Sequence, residues 1–550
     1  MITPRHLVLV CLPLAACGDM GDAGSSFSDA TNWSSPDTGA TSTTTSVSDS
    51  WTNPGADTGV LIDTSTGPEL PPPPPPETEQ DYDLRTPEAG ASFLYIPSAA
   101  LDALIIVDAK TLQVELVEVG VTPTIVRALP ADDGAVVLNE GGSDVSIVRP
   151  RAAPARGFDV TTLDVVPGAN RLERSPDGRF AFAFYDASRS ASVAGLGSLQ
   201  DVSAIRLDHG DEEVMNLAVG YKPSTIVFAD SDRLVLVFCE DGISGIRVDD
   251  LVGDTFLPPV PTSTDPFAKP VDREIVVTPD GRHAAVRDLL APVVTWVDLQ
   301  SATVKELSLP DYASDLELTP DGKTLVVPMR TTQRVALVAV PEAFDVASQG
   351  APLEDNPHVR IPATGASFGS AALTADGRRA LLYTTLPGTL AIGMVDAVTA
   401  EVVTRPLVRE LQSVVVSPDS RMAALIHRRF GSVPAQEHAY SLLDLATGYA
   451  KIVYLAHPVT EVLFTEDASE LYALVPDPLG ATHAVHRVST RSFNVTTYAV
   501  PDEPVFAGVL TAVSKVAIAL DNPTGWITFV DTVTGEVRQV NSVELNGFIE

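Results

Sequence analysis

An all-β chain assembled from one repeated four-stranded unit is what the sequence predicts, and three observations predict it. A turn phrase recurs between apolar runs: Ser175-Pro176-Asp177-Gly178-Arg179, Thr278-Pro279-Asp280-Gly281-Arg282, Thr319-Pro320-Asp321-Gly322-Lys323, Thr374-Ala375-Asp376-Gly377-Arg378 and Ser417-Pro418-Asp419-Ser420-Arg421. A second phrase, an apolar run ending in Asp and then a Thr/Gly turn, recurs at Val395-Asp396, Leu443-Asp444-Leu445-Ala446-Thr447-Gly448 and Val530-Asp531-Thr532-Val533-Thr534-Gly535. Third, runs such as Leu104-Ile105-Ile106-Val107 and Thr324-Leu325-Val326-Val327 are apolar without alternation. A sheet solvated on one face alternates, so continuous runs mean that both faces are covered. Four-stranded sheets covered on both faces by copies of themselves are the blades of a β-propeller.

Each turn residue has a physical role. Proline presets φ for the first turn position, and aspartate bonds its own downstream backbone. Glycine takes the positive φ that closes a tight hairpin. Second strands are expected to begin near Ser92, Ala135, Arg179, Arg233, Arg282, Lys323, Arg378, Arg421, Glu470 and Lys515. The spacing, roughly 40 to 55 residues, is the period of four-stranded blades. Ten units are counted in this way, for a single propeller of about seven to ten blades.

In chain order, Met1 to His6 is a short basic start and Leu7 to Ala16 an apolar stretch. That stretch is too short to span a bilayer, which takes about 20 residues of helix. From residue 17 to residue 90 the chain is Ser, Thr, Asp and Gly, then an unbroken Pro71 to Pro76 run. Few apolar residues and no periodicity leave nothing to offset the entropy of ordering, so a disordered tether is expected there. The array is expected to fill 91–550. Asp81 to Gly90 is polar, so the first unit lacks an obvious inner strand. Val543 to Glu550 is a spare strand after the tenth unit, expected to pair with the first blade and close the ring.

The 550 residues carry 36 Lys+Arg against 72 Asp+Glu, a formal net charge of −36, with no basic block. Phosphate binding needs clustered cations, so no nucleic-acid partner is expected. Of three cysteines, two lie in the leader, and Cys239 sits in an apolar run as a small buried hydrophobe.

Two resemblances follow. Leu14-Ala15-Ala16-Cys17, coming after residues 1–16, resembles a bacterial lipoprotein signal with its lipobox. That resemblance implies acylation of Cys17, a membrane held through the lipid, and a place in the bacterial cell envelope, facing the periplasm or the cell surface. The turn phrases resemble the YVTN-type and TolB-like β-propeller repeats, and the likeness spans the whole array. Those families include lactonases, cofactor enzymes, translocation partners and surface proteins, so the fold leaves function open.

Candidate chemistry is sparse. Gly365-Ala366-Ser367-Phe368-Gly369 matches a hydrolase nucleophile elbow but has no helix after it. His483 and His486, three apart on a strand, face opposite sides, and no further ligand completes a metal set. No catalytic residue, cofactor or metal is therefore assigned. In a four-stranded blade the first–second and third–fourth turns share one face of the disc, and the variable connections share the other. Arg189, Arg287, Arg330, His427, Arg428 and Arg429 fall at the ends of second strands or just beyond, on the variable face. They form a candidate ligand rim. The expected function is a lipid-anchored extracytoplasmic module binding a protein or glycan partner. The alternative is a propeller enzyme such as a lactonase-like hydrolase.

Overall fold

The recurring turn closes as its residues dictate. In Ser175–Arg179, Ser175 Oγ donates to Asp177 Oδ1 at 2.6 Å, and that oxygen accepts the Arg179 N–H at 3.0 Å. Gly178 N–H bonds Ser175 O at 2.9 Å while the glycine holds φ at +73°. The same Ser/Thr-to-Asp bond forms at Thr278, Thr319, Thr374, Ser417 and Thr465. The third–fourth turn depends on its aspartate: Asp531 Oδ1 accepts the N–H groups of Val533 and Thr534 at 3.0 and 2.7 Å. Those N–H groups, Thr534 foremost, hold the Asp531 carboxyl below its usual range.

In the computed structural model, residues 82–541 are described, except 131–132, 153–154, 190–197, 266–270, 522–524 and single positions at 290, 432, 478 and 481. The chain forms a ten-bladed β-propeller. The blades span 88–118, 123–164, 171–218, 225–247, 274–308, 317–360, 370–406, 411–455, 461–499 and 504–540. Within a blade the strands pair in sequence order, antiparallel. First strands of consecutive blades touch one another, which places them innermost.

Two blades depart from the pattern. Blade 4 has three strands, because the segment after Gly242–Arg247 crosses to blade 3. There Thr255–Phe256 adds a fifth strand, parallel to Glu213–Ala218. Only Val260 returns to pair with Ile243.

The interior is ten separate cores, one in each gap between neighbouring blades. Leu381 and Ile392 of blade 7 meet Leu411, Ala423 and Leu425 of blade 8, and the other nine gaps are filled alike. A strand such as Met422–His427 is buried at every position because each of its faces meets a different core. Cys239 lies in the core between blades 3 and 4, its thiol pushed up to about 12 by burial.

Cations tie the gaps on the turn side. A Lys or Arg of one blade donates to a backbone carbonyl in the third–fourth connection of the next. Lys305 bonds Phe344 O at 2.5 Å, Arg360 bonds Ala397 O at 3.0 Å and Arg379 bonds Leu445 O at 3.0 Å. Lys451 bonds Phe493 O at 2.6 Å, Arg487 bonds Thr532 O at 2.7 Å, and Arg149 bonds Leu207 O.

The seam between blades 10 and 1 uses the same devices. Lys515 Nζ donates to Ala109 O at 2.5 Å, and Ala512 N–H to Ala91 O at 3.0 Å. Leu510, Ala517 and Phe529 share a core with Leu94, Ile96 and Ile105. The first blade reaches back beyond residue 91. Tyr82 is buried, Leu84 bridges Ser98, and Glu88–Ala89 supplies the innermost strand. Two residues of strand within a polar stretch leave no apolar run to read. The expected closing strand, 543–550, lies outside the described residues, as does the leader with Cys17.

Candidate functional site

The six rim residues stand where the topology put them, and each is engaged locally. Arg287 ends the second strand of blade 5, donating from Nε to Glu274 Oε2 at 2.6 Å and from Nη1 to Asp272 O at 3.2 Å. Arg189 lies 3.9 Å from Asp186, Arg428 3.8 Å from Glu410, and Arg429 2.7 Å from Glu437. Arg330 lays its guanidinium over Gly369, where a β-carbon would fall 2.0 Å from Nη2. His427 is buried, with Nε2 2.7 Å from Ser441 Oγ. Its Nδ1 has no partner in hydrogen-bond geometry, although the Glu410 backbone lies close. Burial pushes this imidazole down to about 4, so it is neutral. Arg189, Arg287, Arg428 and Arg429 thus each have an acidic neighbour, whereas Arg330 has its Nε buried without a hydrogen-bond partner.

A second constellation, on the innermost strands, was not anticipated. Glu274 opens the first strand of blade 5; Asp315 and Glu317 stand at the first strand of blade 6. Asp315 Oδ2 accepts the Ala371 N–H of blade 7 at 2.6 Å, and Oδ1 accepts the Leu316 N–H at 2.9 Å. The Glu274 and Asp315 carboxyls are close enough to interact, and burial raises both. Burial, with the charge of Asp315 adding to it, pushes Glu274 up to about 8 against the pull of Arg287. Burial and then the charges of Asp315 and Glu274 push Glu317 up to about 8 as well.

The same bridging recurs elsewhere on the inner ring. Glu88 accepts the Ala128 N–H of blade 2 at 3.0 Å, and Glu461 accepts that of Ala507 in blade 10. The sequence carried a signal for part of this. Glu274, Asp315 and Glu461 each stand four residues before the turn Thr, at 278, 319 and 465. The turn phrase begins at that Thr, so the acid four residues upstream lies outside the repeated pattern.

Chemically, Glu274 retains its proton at neutral pH beside a second buried carboxyl, Asp315, that burial also pushes up. Among the described residues, no group of three or more His, Cys, Asp or Glu is placed to hold a metal ion. His483 Nδ1 accepts the Asp477 N–H at 3.1 Å and His486 Nδ1 meets Tyr440 OH at 3.1 Å, so both face protein partners. After Gly365–Gly369 comes the strand Ser370–Leu373, as an elbow would not allow.

No family model matches the chain, and no curated protein matches it. Among solved structures, Kuenenia stuttgartiensis hydrazine synthase is similar at 17% identity, covering 64% of this chain and 99% of that one, with a TM-score of 0.30. Dihydro-heme d1 dehydrogenase NirN in complex with DHE is similar at 13% identity over 76% of this chain and 74% of that one, TM-score 0.44. The Cps50 (Swd1) β-propeller domain of Myceliophteria thermophila shares 11% identity over 58% of this chain and 95% of that one, TM-score 0.31.

Proposed function

We propose that this propeller is a lipid-anchored, extracytoplasmic binding module of the bacterial cell envelope. Acylation of Cys17 holds it on a membrane, and the variable face of the ring takes up a protein or glycan partner. One observation carries the choice of face. Exposed large apolar side chains gather on the variable connections: Val121, Tyr221, Val271, Leu289, Tyr312, Leu386, Leu390, Val408, Phe430, Val433 and Leu479. Among the described residues, the first–second turns carry none and the third–fourth connections only Val252, Val346, Val398, Tyr449 and Val533. Apolar exposure concentrated on one side is the mark of an interaction surface.

The experiment is capture from the envelope of the parent cell. Wild type is compared with variable-face pairs changed to Ser (Val121/Tyr221, Leu289/Tyr312, Phe430/Val433) and with a turn-face pair, Val398/Val533. The expected result is a lead partner lost in at least one variable-face pair and retained in the turn-face pair. Loss in the turn-face pair alone overturns the reading. Cys17→Ala is expected to move the protein from the detergent fraction to the aqueous one.

One observation favours a second reading, a hydrolase of the lactonase-like kind. A buried carboxyl that keeps its proton at neutral pH, as Glu274 does, is the equipment of a general acid. That reading requires turnover of a lactone panel by the wild type and its loss in Glu274→Gln.

A further inference from the structure

The variable connections of blades 7 and 8 form one built platform. Three segments meet there, at 384–390, 407–410 and 428–437. Leu407 N–H bonds Leu390 O at 2.9 Å, and Gly388 N–H bonds Glu410 Oε1 at 2.7 Å. Arg428 N–H bonds Glu410 O at 3.0 Å while its Nη1 donates to Thr385 O. Phe430 N–H bonds Glu437 O at 2.8 Å, and the Arg409 guanidinium lies 5.6 Å from the Phe430 ring centre.

On these hydrogen-bonded segments stand Leu386, Leu390, Val408, Phe430 and Val433, with exposures of 49, 51, 70, 61 and 57%. They cost hydration free energy that covering them would recover.

The flanking charges say what kind of cover fits. Arg428 is 42% exposed against 27% for Glu410, and Arg429 69% against 20% for Glu437. In each pair the arginine is the more accessible partner, so solvent meets positive charge at this edge of a molecule of net charge −36. Arg has five N–H donors, and one carboxylate leaves several of them available.

We propose that the blade 7–8 platform docks an acidic protein segment that carries large apolar side chains. Its apolar groups cover Val408, Phe430 and Val433, and its carboxylates take the outward N–H groups of Arg428 and Arg429. This rests on the variable-face reading above and narrows it to one sector and one chemistry.

The test is selection of a random dodecapeptide display library on the immobilised full chain. The library is first depleted on the Val408→Ser/Phe430→Ser/Val433→Ser variant, which must keep the wild-type thermal midpoint. Survivors are expected to be enriched in Asp and Glu together with Leu, Ile, Phe or Trp. A synthetic leading peptide is expected to lose about tenfold or more in affinity for Arg428→Glu/Arg429→Glu and to weaken as salt rises. The turn-face variant Val398→Ser/Val533→Ser is expected to bind it like the wild type. Survivors rich in Lys and Arg, an empty selection, or equal binding by the charge-reversed variant would each overturn the proposal. If envelope capture is lost only with the Val121/Tyr221 or Leu289/Tyr312 pair, this platform is refuted while the variable-face reading stands.

Discussion

Each turn glycine answers to two demands at once. Gly322 holds φ at +71°, and a β-carbon there would lie 2.6 Å from Pro279 Cδ, in the turn of the preceding blade. Gly178 meets Pro130 in the same way, at 2.7 Å, and Gly377 meets Pro320 at 2.6 Å. The phrase therefore closes its own hairpin and seats the proline of its neighbour. Gly322→Ala adds left-handed strain to overpacking, and a loss of about 2–3 kcal/mol is expected in urea unfolding. A loss below about 0.5 kcal/mol, the range of ordinary surface changes, would show that the two turns do not stack. Ala302 makes the opposite case. It sits exposed at φ +54° in a third–fourth turn, where Asp444 and Asp531 are followed by Gly448 and Gly535. With room around it, Ala302→Gly is expected to raise stability by roughly 0.5–1 kcal/mol.

Between blades, the ties from cation to carbonyl explain where much of a scarce residue type goes. Lys451, half-buried, donates to Phe493 O at 2.6 Å across the gap between blades 8 and 9. Lys451→Met keeps the aliphatic stem and removes the charged donor, so a loss of about 1.5–3 kcal/mol is expected in denaturant titration. An unchanged midpoint would mean that solvent replaces the bond without penalty. None of these ties was legible in the sequence, because each joins residues dozens apart with no shared phrase. What was legible is the hairpin. Second strands expected near Arg179, Arg282, Lys323 and Arg421 begin at Phe180, His283, Thr324 and Met422. Their runs are long, apolar and anchored by a turn. Inner strands were harder: Glu88–Ala89 and Glu317–Leu318 are two residues long and carry acids. The outer segment of blade 4 was harder still, since its crossing to blade 3 is decided by packing rather than by local pattern. At the site, the rim arginines were legible as positions and their carboxylate partners were not.

Each blade shares a core with both of its neighbours, so a buried group in any gap bears on the stability of the blades that flank it. Three buried groups, two at blades 5 and 6 and one on blade 8, set opposite limbs of the pH profile. Folded Glu274 and Glu317 titrate at about 8, above their ordinary 4.5. Folding thus favours their protonated forms, and that contribution is full below about pH 4.5 and is lost as pH rises toward 8. Folded His427 titrates at about 4 rather than 6.5. Its neutral form is the one that fits, so stability is lost as pH falls from about 6.5 to 4, by roughly 3 kcal/mol at full extent. The groups facing the carboxyls are Arg287, Asp272 and Asp315, together with the Ala371 and Leu316 N–H groups, and only Arg287 opposes the upward shift by charge. The limbs overlap from about pH 4.5 to 6.5, where two carboxyls outweigh one imidazole, so the thermal midpoint is expected to be highest near the acid end of that range. Glu274→Gln keeps a donor toward Asp315 without a titrating proton, so it is expected to make the alkaline limb shallower, Glu317 keeping the remainder, and to leave the acid limb alone. His427→Gln is expected to do the reverse. Midpoints measured from pH 4 to 9 decide the matter: if Glu274→Gln falls as steeply as wild type above pH 7, the carboxyl pair between blades 5 and 6 does not carry that limb.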